Sequence, residues 1–164
     1  MAERLAAIDC GTNSVRLLVA EVADGRVTTV ERALRITRLG QGVDATGRFH
    51  PDALARTLSA FEEFAGRLDA LGVRRSRVVA TSAARDAGNS EEFFAGVLGR
   101  VGVPAEIISG AEEARLSFTG AVAGLGRLPQ PVLVADIGGG STELAAGVGG
   151  TLTRAVSLDI GSVR

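Results

Sequence analysis

Two short segments of the sequence, Asp9–Ser14 and Asp136–Glu143, combine glycines, hydroxyl side chains and carboxylates directly after an apolar run. Glycine lets the backbone approach a ligand closely, so that successive N–H groups can point at phosphate oxygens. Hydroxyl groups can donate further hydrogen bonds, and a carboxylate at the end of the preceding run can hold Mg²⁺ directly or through water. This chemistry predicts phosphate binding by Gly11, Thr12, Asn13, Ser14, Gly138, Gly139, Gly140, Ser141 and Thr142.

These two segments repeat one pattern, Asp-x-Gly-x-x-Ser, 127 positions apart, from Asp9 to Asp136. Each copy follows an apolar run and leads into another strand and a glycine-containing hairpin. A pattern that recurs in the same context indicates a duplicated structural unit, so we expect the two copies to face each other across a cleft. Either turn taken alone could equally be an ordinary hairpin turn with a surface acid.

The carboxylates beside the turns are the candidate metal ligands. Glu143 follows Asp136 at a spacing that could bring both side chains to one cation, and Asp9 is a candidate third ligand. Such oxygen ligands suit Mg²⁺ or another divalent metal. The single cysteine, Cys10, and the single histidine, His50, form no metal-binding cluster. We assign Cys10 to packing and His50 to the surface or to a helix cap.

Hydrophobic patterning and turn residues predict the elements that position these side chains. Asp24-Gly25 and Gly149-Gly150 are typical of tight hairpin turns. Strands are predicted over residues 5–9, 15–22, 26–37, 77–81, 104–108, 132–136, 143–148 and 152–158. Helices are predicted to begin with Pro51 as a first residue and with Ser90 and Ser109 as caps. The first of these helices ends at Gly72, and the last is expected to run to about Leu125.

This order of strands and crossover helices predicts an α/β fold with a mixed sheet. The segment Leu128-Pro-Gln-Pro131 interrupts the pattern and predicts a boundary. We therefore expect a first lobe over residues 1–127 and the start of a second, incomplete lobe over residues 131–164.

The bulk composition limits the classes of partner. The 164 residues are 46% hydrophobic and 23% charged, and the net charge is −1, which gives no reason to expect nucleic acid or an anionic membrane as a partner. The absence of Trp and Tyr also argues against stacking on nucleobases. No apolar run is long enough to span a bilayer. A single cysteine fits a reducing compartment, so we expect a cytoplasmic protein.

Four motifs resemble those of the exopolyphosphatase / guanosine pentaphosphate phosphohydrolase (Ppx/GppA) family in order and spacing, and together they cover nearly the whole chain. They are Ile8–Leu18, Ala80–Asp86, Ile107–Leu116 and Asp136–Glu143. This family belongs to the actin, sugar kinase and heat-shock chaperone ATPase superfamily, and the third motif separates it from the kinases and chaperones. The resemblance implies a bacterial enzyme with ribonuclease H-like lobes. It also implies a divalent metal, and inorganic polyphosphate or guanosine pentaphosphate as the substrate that loses a terminal phosphoryl group.

The resemblance also implies roles for single residues. Glu113, the second glutamate of the third motif, is the expected base or water-positioning group. A cap at Ser109 places Glu112 at the third helical position and leaves Glu113 to point elsewhere; the alternative is that Glu113 complements the helix dipole. Arg85, in a loop after strand 77–81, is the expected phosphate clamp, with a solvated loop arginine as the alternative. Alternation within a strand leaves the direction of Arg16 open.

The resemblance further implies that the second lobe continues after Arg164. We therefore expect an N-terminal part of a longer protein, poorly active alone, with a homodimer formed through the full-length protein. A different class remains open, namely a phosphate or nucleotide sensor or an assembly protein of actin-like fold, against which the presence of Glu113 argues. A sugar kinase would in addition need an adenosine pocket.

Overall fold

The computed structural model describes residues 3–126 and 129–163. Its contacts divide the chain into two compact units, one ending at Ile107 and one beginning at Ile108. The sequence places the lobe boundary about twenty residues later, in a segment whose first residue, Leu128, lies outside the described residues. The contacts therefore group the helix after Ile108 with the second unit. None of the helices in the described residues is both long and apolar enough to cross a membrane.

The first unit is built on a five-stranded mixed sheet of order β3-β2-β1-β4-β5. Its first three strands are antiparallel neighbours, whereas β4 and β5 run parallel to β1. Asp24 and Gly25 form the predicted hairpin turn, both with positive φ (50° and 74°). The strands are β1 Glu3–Cys10, β2 Ser14–Ala23, β3 Arg26–Ile36, β4 Arg75–Ala80 and β5 Ala105–Ile107.

The core of the first unit lies between one face of this sheet and its helices. Alternation in β1 buries Ala6, Ile8 and Cys10 on that face. The rings of Phe61 and Phe93 meet edge to face, 6.0 Å apart. The helices of this unit are α1 Val43–Thr46, α2 Pro51–Ala70, α3 Ser82–Asp86 and α4 Ser90–Val101.

The helix ends agree with the sequence at α2 but not at α4. His50 is the N-cap of α2, and its Nδ1 accepts a hydrogen bond of 3.2 Å from the amide of Asp52, which confirms the capping role. The prediction that Ser90 caps α4 is wrong, because Asn89 is the N-cap and Ser90 is the first helical residue. The side chain of Asn89 is used elsewhere, since it accepts from the amide of Phe49 at 2.7 Å.

In its described residues, the second unit has one helix on a three-stranded antiparallel sheet of order β6-β7-β8. Ala114 and Phe118 of the helix and Ala145 of the sheet form its buried core. Gly149 and Gly150 make the predicted hairpin turn with φ of 59° and 79°. The elements are α5 Gly110–Ala123, β6 Val132–Ile137, β7 Thr142–Val148 and β8 Thr151–Leu158.

Candidate active site

The two glycine turns are closed by the same backbone hydrogen bond. In the first turn the amide of Gly11 donates to the carbonyl of Ser14 at 3.0 Å, and in the second the amide of Gly138 donates to the carbonyl of Ser141 at 2.9 Å. A side chain on Gly138 would bring its Cβ to 2.8 Å from that Ser141 carbonyl oxygen, so the turn requires glycine. The same bond at equivalent positions supports the predicted repeat.

Each turn is also braced by the segment that follows the third strand of its copy. The amide of Arg38 donates to the carbonyl of Asn13 at 3.0 Å, and the amide of Ser162 donates to the carbonyl of Gly138 at 2.9 Å. Backbone bracing of this kind holds a turn in one conformation and so pre-organises its remaining donors for a ligand.

The backbone donors that remain for a ligand are few. Within the described parts of the chain, the amides of Thr12, Asn13 and Gly139 have no protein acceptor, so they can donate to phosphate oxygens. The hydroxyl of Thr142 is already engaged, since it donates to the carbonyl of Ile160 at 2.6 Å. Thr142 is therefore not a ready hydroxyl donor in this structure, although the sequence suggested it.

Two predicted metal ligands lie side by side in the second unit. Asp136 in β6 and Glu143 in β7 are direct partners across the two antiparallel strands, so their side chains share one face of the sheet. That face is covered by α5. Glu143 is only 1% exposed, and its Oε1 accepts a hydrogen bond of 2.7 Å from the Ser157 hydroxyl. The Ser117 hydroxyl of α5 donates to Oδ2 of Asp136.

This donor set fits a small divalent cation. Residues 3–126 and 129–163 contain no group of three or more His, Cys, Asp or Glu side chains placed to hold one metal ion. A site here would therefore rest on Asp136 and Glu143. Mg²⁺ is commonly held by one or two carboxylates, with water and substrate phosphates completing its six ligands.

Glu113 lies on the helix that covers these carboxylates. Its helix begins as predicted, with Ser109 as the N-cap accepting from the amide of Glu112 at 3.2 Å. The carboxylate of Glu112 pairs with Arg115 at 2.7 Å. Glu113 precedes Ser117 by four residues, so the two side chains are neighbours on one side of α5. Because Ser117 bonds to Asp136, Glu113 lies about one helical turn from that contact.

Asp9 belongs to the first unit and has a different neighbour. Its partner across β1 and β2 is Arg16, which the sequence left unassigned. The burial of Val15 and Leu17 turns Arg16 to the opposite face, where it is exposed beside Asp9. The apolar residues on either side of Arg16 in β2 are the feature of the sequence that could have predicted this direction. Asp9 and Arg16 line a depression of about 510 Å³, whose other lining residues are Ala7, Leu17, Leu18, Arg32, Ala33 and Leu34.

Arg85 lies in the one-turn helix α3 and not in a loop, which corrects the sequence prediction. Five residues are too few for a hydrophobic period, so the pattern gave no helix signal there. The amide of Thr81, the residue before α3, donates to the carbonyl of Cys10 at 3.2 Å. Since Gly11 follows Cys10, α3 begins beside the first glycine turn, and Arg85 is half-buried at that end of the sheet.

Comparison with known proteins places the chain in a family. Residues 18–164 match the model of the Ppx/GppA phosphatase family. The chain belongs to this family. It is 54% identical to Exopolyphosphatase 2 of Mycobacterium tuberculosis over 98% of its own length and 53% of that relative. The chain therefore spans about half the length of this relative.

Solved structures of Ppx/GppA proteins have the same fold. An exopolyphosphatase-like protein superimposes with a TM-score of 0.96 at 47% identity, over 99% of this chain and 52% of the other. The Ppx/GppA family member of Aquifex aeolicus gives 0.84 at 37% identity, over 98% and 52%. MreB5 of Spiroplasma citri, with 16% identity over 97% and 53% and a TM-score of 0.50, shares the fold alone. The predicted actin-like α/β fold is confirmed.

Proposed function

We propose that this chain carries the catalytic carboxylates of an exopolyphosphatase, which removes the terminal phosphoryl group of inorganic polyphosphate as orthophosphate. The observation that carries the proposal is the position of Glu113, one helical turn before the Ser117 hydroxyl that bonds to Asp136. Membership of the Ppx/GppA family and the exopolyphosphatase name of a relative at 54% identity support it. Because the chain spans about half of that relative, the proposal concerns the complete protein.

The metal is part of this proposal. Asp136 and Glu143 would hold Mg²⁺ through their carboxylate oxygens, with Asp9 as the third candidate from the sequence. When bound, a divalent cation neutralises charge on the phosphoryl oxygens and so favours attack on phosphorus. The cross-strand pairing of Asp136 with Glu143 supports the assignment, because two adjacent carboxylates are the protein ligands that Mg²⁺ commonly uses.

Glu113 is proposed to orient the attacking water and to accept its proton. The water oxygen bonds to the terminal phosphorus while the bond from that phosphorus to the bridging oxygen breaks. The bridging oxygen leaves on the shortened polyphosphate, and orthophosphate is released. A positioned general base contributes about 10²–10⁴-fold to such a reaction.

The remaining roles concern the phosphates themselves. The amide of Gly139 at the second turn is proposed to bind a phosphate oxygen, and the first turn offers the same chemistry at Thr12 and Asn13. Arg85 can pair with two oxygens of one phosphate through its planar guanidinium. We place this activity in the cytoplasm, in keeping with the single cysteine of the chain.

The test compares two substrates with the protein at its full natural length. Orthophosphate release would be measured from long polyphosphate and from guanosine pentaphosphate, with Mg²⁺ and with a chelator. We expect polyphosphate to give the higher kcat/KM and the chelator to abolish release. A higher kcat/KM for guanosine pentaphosphate would show that this compound, and not polyphosphate, is the preferred substrate. Binding of polyphosphate without release from either compound would identify a sensor.

A further inference from the structure

Each carboxylate at the second glycine turn is held by a serine from a different structural element. Ser117 of α5 donates to one oxygen of Asp136, and Ser157 of β8 donates to one oxygen of Glu143 at 2.7 Å. Asp136 and Glu143 are themselves strand partners. The two hydroxyls therefore tie both carboxylates to the helix and strand around them.

Both serines lie beside the contact between α5 and the sheet. Ser157 lies against the first residue of α5, since a Cβ on Gly110 would come within 2.5 Å of both Cβ and Oγ of Ser157. Ser117 is adjacent to Phe118 and one turn after Ala114, both of which are buried against the sheet. Both serines therefore lie where α5 packs on the sheet, next to the carboxylates to which they donate.

The second oxygen of each carboxylate remains available for a ligand. Among the described residues, Oδ1 of Asp136 and Oε2 of Glu143 have no protein hydrogen-bond partner.

We infer that Ser117 and Ser157 are positioning residues that limit Asp136 and Glu143 to one ligating oxygen each and thereby favour Mg²⁺ over Ca²⁺. Mg²⁺ takes six ligands in near-octahedral geometry and keeps several waters, which two single-oxygen ligands allow. Ca²⁺ takes six to eight oxygens and often binds both oxygens of one carboxylate. The inference rests on the proposed function, because the cation is proposed there.

The test measures cation affinity directly and does not depend on turnover. Isothermal titration calorimetry of the full-length protein with MgCl₂ and with CaCl₂ gives both dissociation constants and their ratio. The variants are Ser117→Ala and Ser157→Ala. Thr119→Ala in α5 and Thr153→Ala in β8 are matched controls, because those hydroxyls bond only to the carbonyls of Arg115 and Ala146. A second comparison uses Ser117→Thr and Ser117→Val, whose side chains have similar shapes, but only threonine keeps the hydroxyl.

Each serine-to-alanine variant is expected to lose about tenfold in Mg²⁺ affinity, the usual effect of removing a partner of a metal ligand. The Mg²⁺/Ca²⁺ affinity ratio should fall in both variants, stay unchanged in the two controls, and be higher in Ser117→Thr than in Ser117→Val. An unchanged ratio in the alanine variants, or equal ratios in the threonine and valine variants, overturns the inference while the metal site stands. A full-length wild-type protein that binds neither cation overturns the proposed metal site and this inference together.

Discussion

Arg16 and Glu143 occupy the same position in the two copies of the glycine turn but carry opposite charges. Each lies 127 residues from its counterpart and is the cross-strand partner of the aspartate before its turn, Asp9 for Arg16 and Asp136 for Glu143. The first aspartate therefore faces a guanidinium, whereas the second faces another carboxylate. Two adjacent negative charges favour a divalent cation, so we expect the metal at the second turn; Asp9 as a ligand stays a prediction from the sequence.

Removing either carboxylate at the second turn should abolish cation binding. Asp136→Asn and Glu143→Gln keep the size of each side chain but remove the charge that Mg²⁺ requires. We expect at least about a 100-fold loss of Mg²⁺ affinity by calorimetry, larger than that caused by loss of a partner residue. Glu106→Gln is the control, since that exposed carboxylate pairs with Arg77 on the surface. Wild-type affinity in Asp136→Asn would exclude it as a ligand.

Arg85 should contribute to substrate binding more than to the chemical step. Lysine keeps the charge but loses the planar pair of donors that matches a phosphate. With the full-length protein, Arg85→Lys is expected to raise KM for polyphosphate by roughly tenfold, equivalent to about 1.4 kcal/mol. Arg77→Lys is the control, because Arg77 lies in β4, the strand before α3, and pairs with Glu106. An unchanged KM in Arg85→Lys would support the alternative that Arg85 is a surface arginine.

The sequence predicts elements wherever a period or a turn residue is present. Asp24-Gly25 predicts the first hairpin and Ser109 the start of α5, because their side chains or φ angles act locally. Prediction from the sequence is wrong where an element depends on a partner that is distant along the chain. Asn89 replaces Ser90 as the cap of α4 while its side chain bonds to Phe49, forty positions away.

The site shows the same division between local and distant information. The spacing around the glycine turn predicts Asp136 and Glu143 as ligands. It does not predict the roles of Ser117 and Ser157, because nothing local marks a serine in a helix or a strand as the partner of a carboxylate in another strand. Burial alternation could have placed Arg16, since its two neighbours in β2 are apolar.

Packing of α5 on the second sheet depends on a glycine in β7. A Cβ on Gly147 would lie 2.3 Å from Cζ of Phe118 and 2.4 Å from the carbonyl oxygen of Thr151. Gly147→Ala should therefore lower the free energy of unfolding by about 1–3 kcal/mol. Gly66→Ala, in α2 with no atom within 4 Å of its Cβ, should raise it by about 0.5–1 kcal/mol. Urea denaturation measures both; a Gly147→Ala variant as stable as wild type would refute this packing.

Cys10 should make stability depend on pH in the alkaline range. Burial, and secondarily the charge of Asp9, raises the pKa of the Cys10 thiol well above its usual range. A raised folded-state pKa stabilises the protein fully below the unfolded pKa of about 8.5, and this stabilisation is lost as pH rises further. Relative to Cys10→Ala, the wild-type free energy of unfolding should fall by about 1.4 kcal/mol per pH unit above that value. If the free energy of unfolding changed with pH in the same way in both proteins, this prediction would be contradicted.

The most direct test of the proposed hydrolysis is the turnover of Glu113→Gln in the full-length protein. Glutamine keeps the shape of the side chain but cannot accept the proton of the attacking water. We predict that kcat for polyphosphate falls by about 10²–10⁴-fold, while KM and Mg²⁺ affinity stay near wild type. Glu112→Gln, next to it but paired with Arg115, should retain wild-type kcat. A wild-type kcat in Glu113→Gln would contradict the account.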